Sequence, residues 1–178
     1  MPNIAQINGI AEDDIAQWNG ITASNVTSVN GNTWVHFQGM VATGGSIATD
    51  GDFKVHTFNS GGTFTVTTLG DDAVVQYLVV AGGGGTSGTG SGYGAFGGGG
   101  AGGLRTATGL SVSAQAYTVT VGGGGAGGAS ANARGAVGSN SVFSSITSTG
   151  GGQSGIGNEA GSTGGSGGGG SNSGGGGS

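Results

Sequence analysis

Glycine is distributed very unevenly along this chain of 178 residues, and no other feature limits its folding options as strongly. Residues 1–81 contain 10 of the 49 glycines, and residues 82–178 contain the other 39. Each glycine held in regular structure costs roughly 0.5–1 kcal/mol relative to alanine. Over the second segment this cost reaches about 20–40 kcal/mol, well above the ~5–15 kcal/mol stability of a typical domain. The segment is therefore either disordered or held by dense interactions that offset the cost.

Strand-like islands between the glycine runs favour an ordered structure for residues 82–150. Residues 116–121 and 141–146 carry such islands, which a flexible linker does not need. Polyglycine forms an extended helix of about three residues per turn, and such helices pack through backbone N–H···O and Cα–H···O bonds. We therefore expect polyglycine II-like packing, with bulky residues confined to loops at the ends of the runs. For residues 161–178, an ordered segment and a Gly/Ser-rich tail or linker both fit the sequence.

Residues 33–81 have the pattern of a small antiparallel β unit. Residues 33–37 and 53–58 are strand-like, and a turn signal at residues 49–52 precedes the second of them. Residues 63–67 alternate strictly, so Phe64 and Val66 are predicted to face inward. Residues 73–81 are apolar on both faces, which predicts a central strand.

The first 32 residues contain three Asn-Gly pairs that recur every 11 residues. Asp14 and Ser24 precede short apolar stretches as helix N-caps do, and Asn-Gly suits either a helix cap or a tight turn. We predict short helical-turn repeats, each too short to bury its own apolar face, which stack on one another or on another chain. The alternative is a small helical cap on the following domain. The residues predicted to mediate oligomerisation are Ile7, Ile15, Trp18, Ile21, Val26 and Val29.

These observations predict a mainly β fold with polyglycine II-like packing and short N-terminal helical-turn repeats. Four segments are expected. Residues 1–32 are the attachment or oligomerisation repeats, and residues 33–81 are the antiparallel β unit. Residues 82–160 are a glycine-rich domain with strand islands, and residues 161–178 are the Gly/Ser-rich tail or linker.

Charge and composition exclude several classes of function. Three Lys and Arg residues stand against eight Asp and Glu residues, for a net charge of −5, so the chain has no electrostatic footprint for nucleic acid or anionic lipid. The absence of cysteine excludes disulfides, Cys-based zinc sites and a thiol nucleophile. No stretch is long and apolar enough to span a bilayer, and the N-terminus is too polar for a secretory signal. We expect no membrane insertion, and an external protein of this kind would have to leave the cell by another route, of which release by lysis inside an assembled particle is one.

Two glycine patterns resemble catalytic or cofactor motifs without their context. Residues 83–88 match the spacing of the dinucleotide fingerprint, but more glycine follows instead of a helix, and the next carboxylate is Glu159. Residues 164–168 resemble a nucleophile elbow without the acid and histidine that should follow it. His36 and His56 lie in strand-like sequence. We therefore predict no enzymatic activity, no cofactor and no metal site.

The aromatic residues Tyr93 and Phe96 lie between glycine runs with no strand pattern around them. Aromatic side chains give contact area at a small entropic cost, which makes both residues candidates for contact with a host surface. The alternative is that their rings cap the glycine lattice or contact a neighbouring subunit. Leu104, Arg105 and Arg134 are weaker candidates of the same kind.

Four strand-like segments follow one another along the chain in a specific order. They are residues 56–66, residues 75–81 leading into glycines, residues 117–122 and residues 141–143. This order resembles the glycine-rich domain of bacteriophage tail proteins over roughly residues 53–160. The Asn-Gly repeats are similar to those of marine-phage structural proteins. The chain is also similar to the glycine-rich tips of some T-even-type phage fibres, in which polyglycine helices form a packed layer and distal loops recognise the host.

The resemblance implies a tail-fibre or adhesin subunit in a virion or outside the cell. Its expected partners are further copies of itself, with a trimer favoured, other virion or filament proteins, and a glycan or protein of the host cell surface. The alternative is a purely structural subunit of a virion or an extracellular filament, without a receptor-binding role.

Overall fold

The computed structural model describes residues 38–88, 96–130, 133–172 and 174–178, and within residues 1–37 only the strands named below. The chain divides into two compact units. One comprises residues 1–41 and 68–73, and the other comprises residues 42–67 and 74–178. The described residues contain strands and no helix, so the predicted mainly β fold is confirmed.

Each Asn-Gly pair of the N-terminal repeat is flanked by two short antiparallel strands. The pairs are β1 (Gln6–Ile7) with β2 (Ile10–Ala11), β3 (Gln17–Trp18) with β4 (Ile21–Thr22), and β5 (Ser28–Val29) with β6 (Asn32–Thr33). Two residues separate the strands of each pair, and Asn-Gly is a favoured sequence for such a two-residue hairpin connection. The flanks of the Asn-Gly pairs are therefore strands and not helical turns. The predicted caps Asp14 and Ser24 lie outside the described residues.

Nine further strands follow in the described part of the chain from residue 38 onward. They are β7 (Val41–Thr43), β8 (Ser46–Asp50), β9 (Phe53–Thr57), β10 (Gly62–Thr68), β11 (Val74–Val80), β12 (Leu104–Ser111), β13 (Ala116–Thr120), β14 (Ser141–Phe143) and β15 (Ile146–Ser148). The predicted strand at residues 53–58 is confirmed by β9, and its turn contains Gly51 at a φ of +55°. Residues 34–37 of the first predicted strand lie outside the described residues.

A five-stranded sheet carries the aromatic part of the small core. Its strand order is β15-β14-β13-β10-β7, so residues near the middle of the chain pair with residues beyond the glycine runs. Phe64 and Val66 on β10 are buried, as the alternation predicts. The ring of Phe64 meets the ring of Phe143 edge-on, with centroids 5.8 Å apart. Such an aromatic pair contributes about 0.5–1.5 kcal/mol beyond the burial itself.

The prediction that residues 73–81 form a central strand is wrong. β11 pairs only with β12, in a two-stranded antiparallel sheet that we call the ribbon. One face of the ribbon contacts β14 and β15 and buries Val79, while the other face leaves Leu78 exposed. An unbroken apolar run is typical of a strand covered on both faces, but a strand pattern by itself does not show what covers the second face.

The glycine-rich residues form a lattice of extended segments joined by backbone hydrogen bonds. These glycine segments are residues 81–88, 97–103, 122–128, 133–139, 149–155, 164–171 and 174–178. The amides of Gly82, Gly85 and Gly88 donate to the carbonyl oxygens of Ser139, Ala136 and Ala133 respectively. The same period of three recurs between other pairs of segments. A polyglycine II helix has about three residues per turn, so each third residue faces the same neighbour, and the predicted polyglycine II-like packing is confirmed.

Most glycines of the lattice are required by close approach between backbones. A Cβ on Gly151 would overlap the carbonyl oxygen of Gly100, and a Cβ on Gly84 would overlap that of Gly152. At Gly123, in contrast, no atom lies within 4 Å of the Cβ position. The dense hydrogen bonding between segments that lack side chains is what offsets the conformational cost of glycine. The C-terminal Gly/Ser-rich residues take part in the same network, since the amide of Gly177 donates to Gly168.

Candidate functional site

The glycine lattice has two different ends, which follow from the direction of its segments. At one end, the strand end, five of the segments are continuous with strands β11 to β15. At the other end, the loop end, residues 89–96, 129–132, 156–160 and 172–173 connect the segments. Gly88 bonds to Ala133 there, and Gly155 bonds to Gly169. One further reversal, at residues 164–166, lies at the strand end, where the amide of Gly165 donates to Gly150. The other four connections join segments whose ends lie at the loop end, which makes the loop end the candidate functional site.

An ion pair joins one of the connections at the loop end to a neighbouring glycine segment. The Nε and Nη2 atoms of Arg134 lie 3.0 Å and 2.8 Å from the Oε2 atom of Glu159, and Nη2 also donates to the carbonyl of Ala160 at 2.9 Å. The two charged side chains are 32% and 61% exposed, so the ion pair itself is worth at most about 1 kcal/mol. Its main effect is geometric, because it ties residues 156–160 to the start of the segment 133–139. Arg134 is one of the predicted contact residues, and its guanidinium is engaged within the chain.

A buried pair of serines closes the lattice just beneath the loop end. The Oγ atoms of Ser87 and Ser154 lie 2.8 Å apart, and the amide of Ser87 donates to Ser154 Oγ at 2.7 Å. Ser87 Oγ also donates to the carbonyl of Gly155 at 3.0 Å. Both serines are buried. This group fixes the positions of the two segments from which the connections at residues 89–96 and 156–160 emerge.

The predicted contact residues separate into two groups. Phe96 is half-buried at the loop end, where the segment 97–103 begins, and Arg134 lies at the same end. Leu104 and Arg105 belong to β12 and lie at the strand end, and Leu104 is 61% exposed. Tyr93 lies outside the described residues. Leu104 and Arg105 therefore do not share a surface with Phe96 and Arg134, because the intervening glycine segment runs the length of the lattice.

The predicted oligomerisation residues are placed only in part. Ile7, Trp18 and Val29 each end the first strand of a hairpin, and Ile21 begins the second strand of the middle hairpin. Ile15 and Val26 lie outside the described residues.

The roles of Glu159 and the serine pair do not follow from the sequence pattern. Glu159 is the one carboxylate after Asp72 in the sequence, which is the signal that could have marked it as a partner for Arg134. No comparable signal marks Ser87 and Ser154, because serine is frequent throughout the glycine-rich residues.

A shallow cleft lies away from the lattice, beside the turn between β9 and β10. It has a volume of about 260 Å³ and is lined by glycine, serine and threonine residues with Phe58 and Asn59. No group of three or more His, Asp or Glu side chains that could hold a metal ion occurs among the residues that the structure describes. In the same residues no helix is long and apolar enough to cross a membrane.

A family model for a glycine-rich domain matches residues 57–178, which is more than half of the chain. The chain belongs to this glycine-rich domain family. The match begins at the end of β9 and includes the five-stranded sheet from β10 onward, the ribbon and the whole glycine lattice. No curated protein and no solved structure matched the chain. The loop end is thus a surface of the glycine-rich domain.

Proposed function

We propose that this protein is a virion structural protein of the tail-fibre or adhesin type, which assembles through its N-terminal repeats and contacts the host surface through the loop end. The observation that carries the proposal is the arrangement of the lattice. Four of its connections lie at one end, and five of its segments are continuous with strands at the opposite end. A rigid scaffold that presents variable loops at one end is a common solution for recognition, because loops tolerate sequence change without loss of the fold.

Further support comes from the chemistry of the loop end. The ion pair between Arg134 and Glu159 and the hydrogen bonds of the buried serines fix the residues at which two of the connections begin or end. These loop ends are therefore already ordered before a partner binds. Preorganised loops lose less conformational entropy on binding. Phe96 adds a half-buried aromatic ring at this end, and aromatic rings dominate many interfaces. The resemblance to the tail proteins of bacteriophages supplies the biological setting.

The alternative is a purely structural subunit of a virion or an extracellular filament. The engagement of Arg134 with Glu159 favours it, because this cation is satisfied within its own chain. In that case the loop end would contact a neighbouring subunit, and a purified chain would assemble without binding cells.

Binding of the fluorescently labelled full chain to a panel of bacterial strains, measured by flow cytometry, tests the proposal. The loop-end variant combines Tyr93→Ser with Phe96→Ser, and the matched control is Phe53→Ser on β9, where the side chain is 60% exposed. We expect saturable binding to at least one strain, reduced about tenfold or more in the loop-end variant and unchanged in the control. Assembly without binding to any strain, or equal loss in both variants, would reject the loop end as the host contact.

A further inference from the structure

The outer face of the ribbon is an exposed aliphatic surface. Leu78, Val80 and Leu104 are 65%, 51% and 61% exposed, and Val80 lies directly opposite Leu104 in the register of β11 and β12. Val74, at the other end of β11, is 41% exposed. Residues that lie directly opposite in an antiparallel pair share a face, so Leu78, Val80 and Leu104 form one patch, from which Gln76 separates Val74. The inner face of the same ribbon buries Val79 and is already covered by β14 and β15.

This patch has no charged residue and no proline to protect it, and the one register shift of the ribbon, between Val75 and Tyr77, lies before its regularly paired residues 77–80. The one polar side chain of β11 besides the tyrosine hydroxyl is Gln76. Both outer edges of the ribbon are unpaired within the described residues. Natural proteins usually place Lys, Pro or a bulge on such strands, because an uncharged apolar strand associates with other chains. A contiguous apolar patch that is rimmed by polar residues marks an interaction surface.

The charge distribution favours a second copy of this chain as the partner. In a two-fold contact a face meets its own copy, so any charge on it comes close to a like charge. The net charge of −5 opposes association in general, but none of the eight carboxylates belongs to β11 or β12. Arg105 lies opposite Val79 in register and therefore belongs to the inner face. The outer faces of two copies can therefore come into contact without bringing like charges close together.

The size of the patch fits a weak contact between copies. Four aliphatic side chains that are roughly half exposed present on the order of 200–300 Å² per copy. Two copies together would bury roughly 400–600 Å² of this aliphatic surface, which is below the roughly 1,200 Å² of stable specific interfaces. A contact of this size is weak by itself, which suits an assembly that is held at more than one point.

We propose that the outer face of the ribbon is a contact between copies of this chain, in which Leu78, Val80 and Leu104 of one copy pack against the same residues of a second copy. Burial of these side chains on association removes the aliphatic surface that the single chain leaves in water. The contact lies on the glycine-rich domain and does not involve the N-terminal repeats. It is also independent of any binding to a host.

Self-association of the full chain, measured by sedimentation equilibrium over a range of concentrations, gives the first test. The test variant is Leu78→Thr with Leu104→Thr. The matched control is Ile47→Thr with Phe53→Thr on β8 and β9, where the exposed fractions are similar at 52% and 60%. We expect the test variant to raise the dissociation constant about tenfold or more and the control to leave it unchanged. A wild-type chain that stays monomeric, or equal effects of both variants, would overturn the proposal.

Disulfide cross-linking tests the contact directly, even where the N-terminal repeats also join the copies. The chain contains no cysteine, so single substitutions are informative. Leu78→Cys should give a covalent dimer rapidly under mild oxidation, because residues near a two-fold axis meet their own copies. Val137→Cys, at a site that is 52% exposed in the lattice, should cross-link only at the slow rate of random collision. Equal rates for the two variants would show that the ribbon is not a contact.

Discussion

The hydroxyl oxygens of Ser87 and Ser154 lie 2.8 Å apart at a buried point between two parallel glycine segments. Parallel alignment of these segments is shown by the bonds from Gly151 to Gly82 and from Ser154 to Gly85. In a lattice where most side chains are hydrogen atoms, this pair is a rare side-chain contact in the interior. It satisfies its own polar atoms and the amide of Ser87 at the same time.

Loss of the Ser154 hydroxyl should therefore destabilise the domain more than its small size suggests. The substitution Ser154→Ala leaves the buried amide of Ser87 without its acceptor, which costs about 1–3 kcal/mol. The exposed residue Ser130 provides a control, for which Ser130→Ala should change the free energy of unfolding by less than about 0.5 kcal/mol. Chemical denaturation of the two variants measures the difference. Equal stabilities would mean that water replaces the lost hydroxyl.

A pair of glycine-to-alanine substitutions distinguishes a packed lattice from a flexible tract. Gly151→Ala places a methyl group against the Gly100 carbonyl and should cost about 3 kcal/mol or more by overpacking. Gly123→Ala meets no atom within 4 Å and has no positive φ, so it should stabilise by about 0.4–1 kcal/mol through the unfolded state. Thermal unfolding of both variants checks this. Indistinguishable midpoints would contradict close packing of these residues.

The aromatic contact in the five-stranded sheet should dominate the stability of the small core. Phe64 lies edge-on to both His56 and Phe143, with ring centroids 5.0 Å and 5.8 Å away. We expect Phe64→Ala to cost about 3–5 kcal/mol. Phe53, which is 60% exposed, is the matched control, and Phe53→Ala should cost less than about 0.5 kcal/mol. Urea unfolding that shows similar losses for the two variants would argue that the sheet is not the centre of the core.

The pattern of the sequence is sufficient to predict the strands at residues 53–57 and 62–68 and the inward direction of Phe64 and Val66. These features depend on the alternation of neighbouring residues, which is a local property. β12 is not predicted by its own pattern, because its apolar residues Leu104, Ala107 and Leu110 do not alternate with a period of two. Its strand conformation is set by pairing with β11.

Glycine content by itself determined that residues 82–178 would either be disordered or pack backbone against backbone. Glycine loses the most conformational entropy on folding, and it is also the residue without a Cβ that would keep two backbones apart. Only the tertiary structure decided how the segments pair, that four of their connections lie at one end, and that Leu104 lies far from Phe96. Runs of glycine have no side chains to specify a neighbour. The pairing is therefore fixed by the strands that lead into the segments and by rare contacts such as that between Ser87 and Ser154.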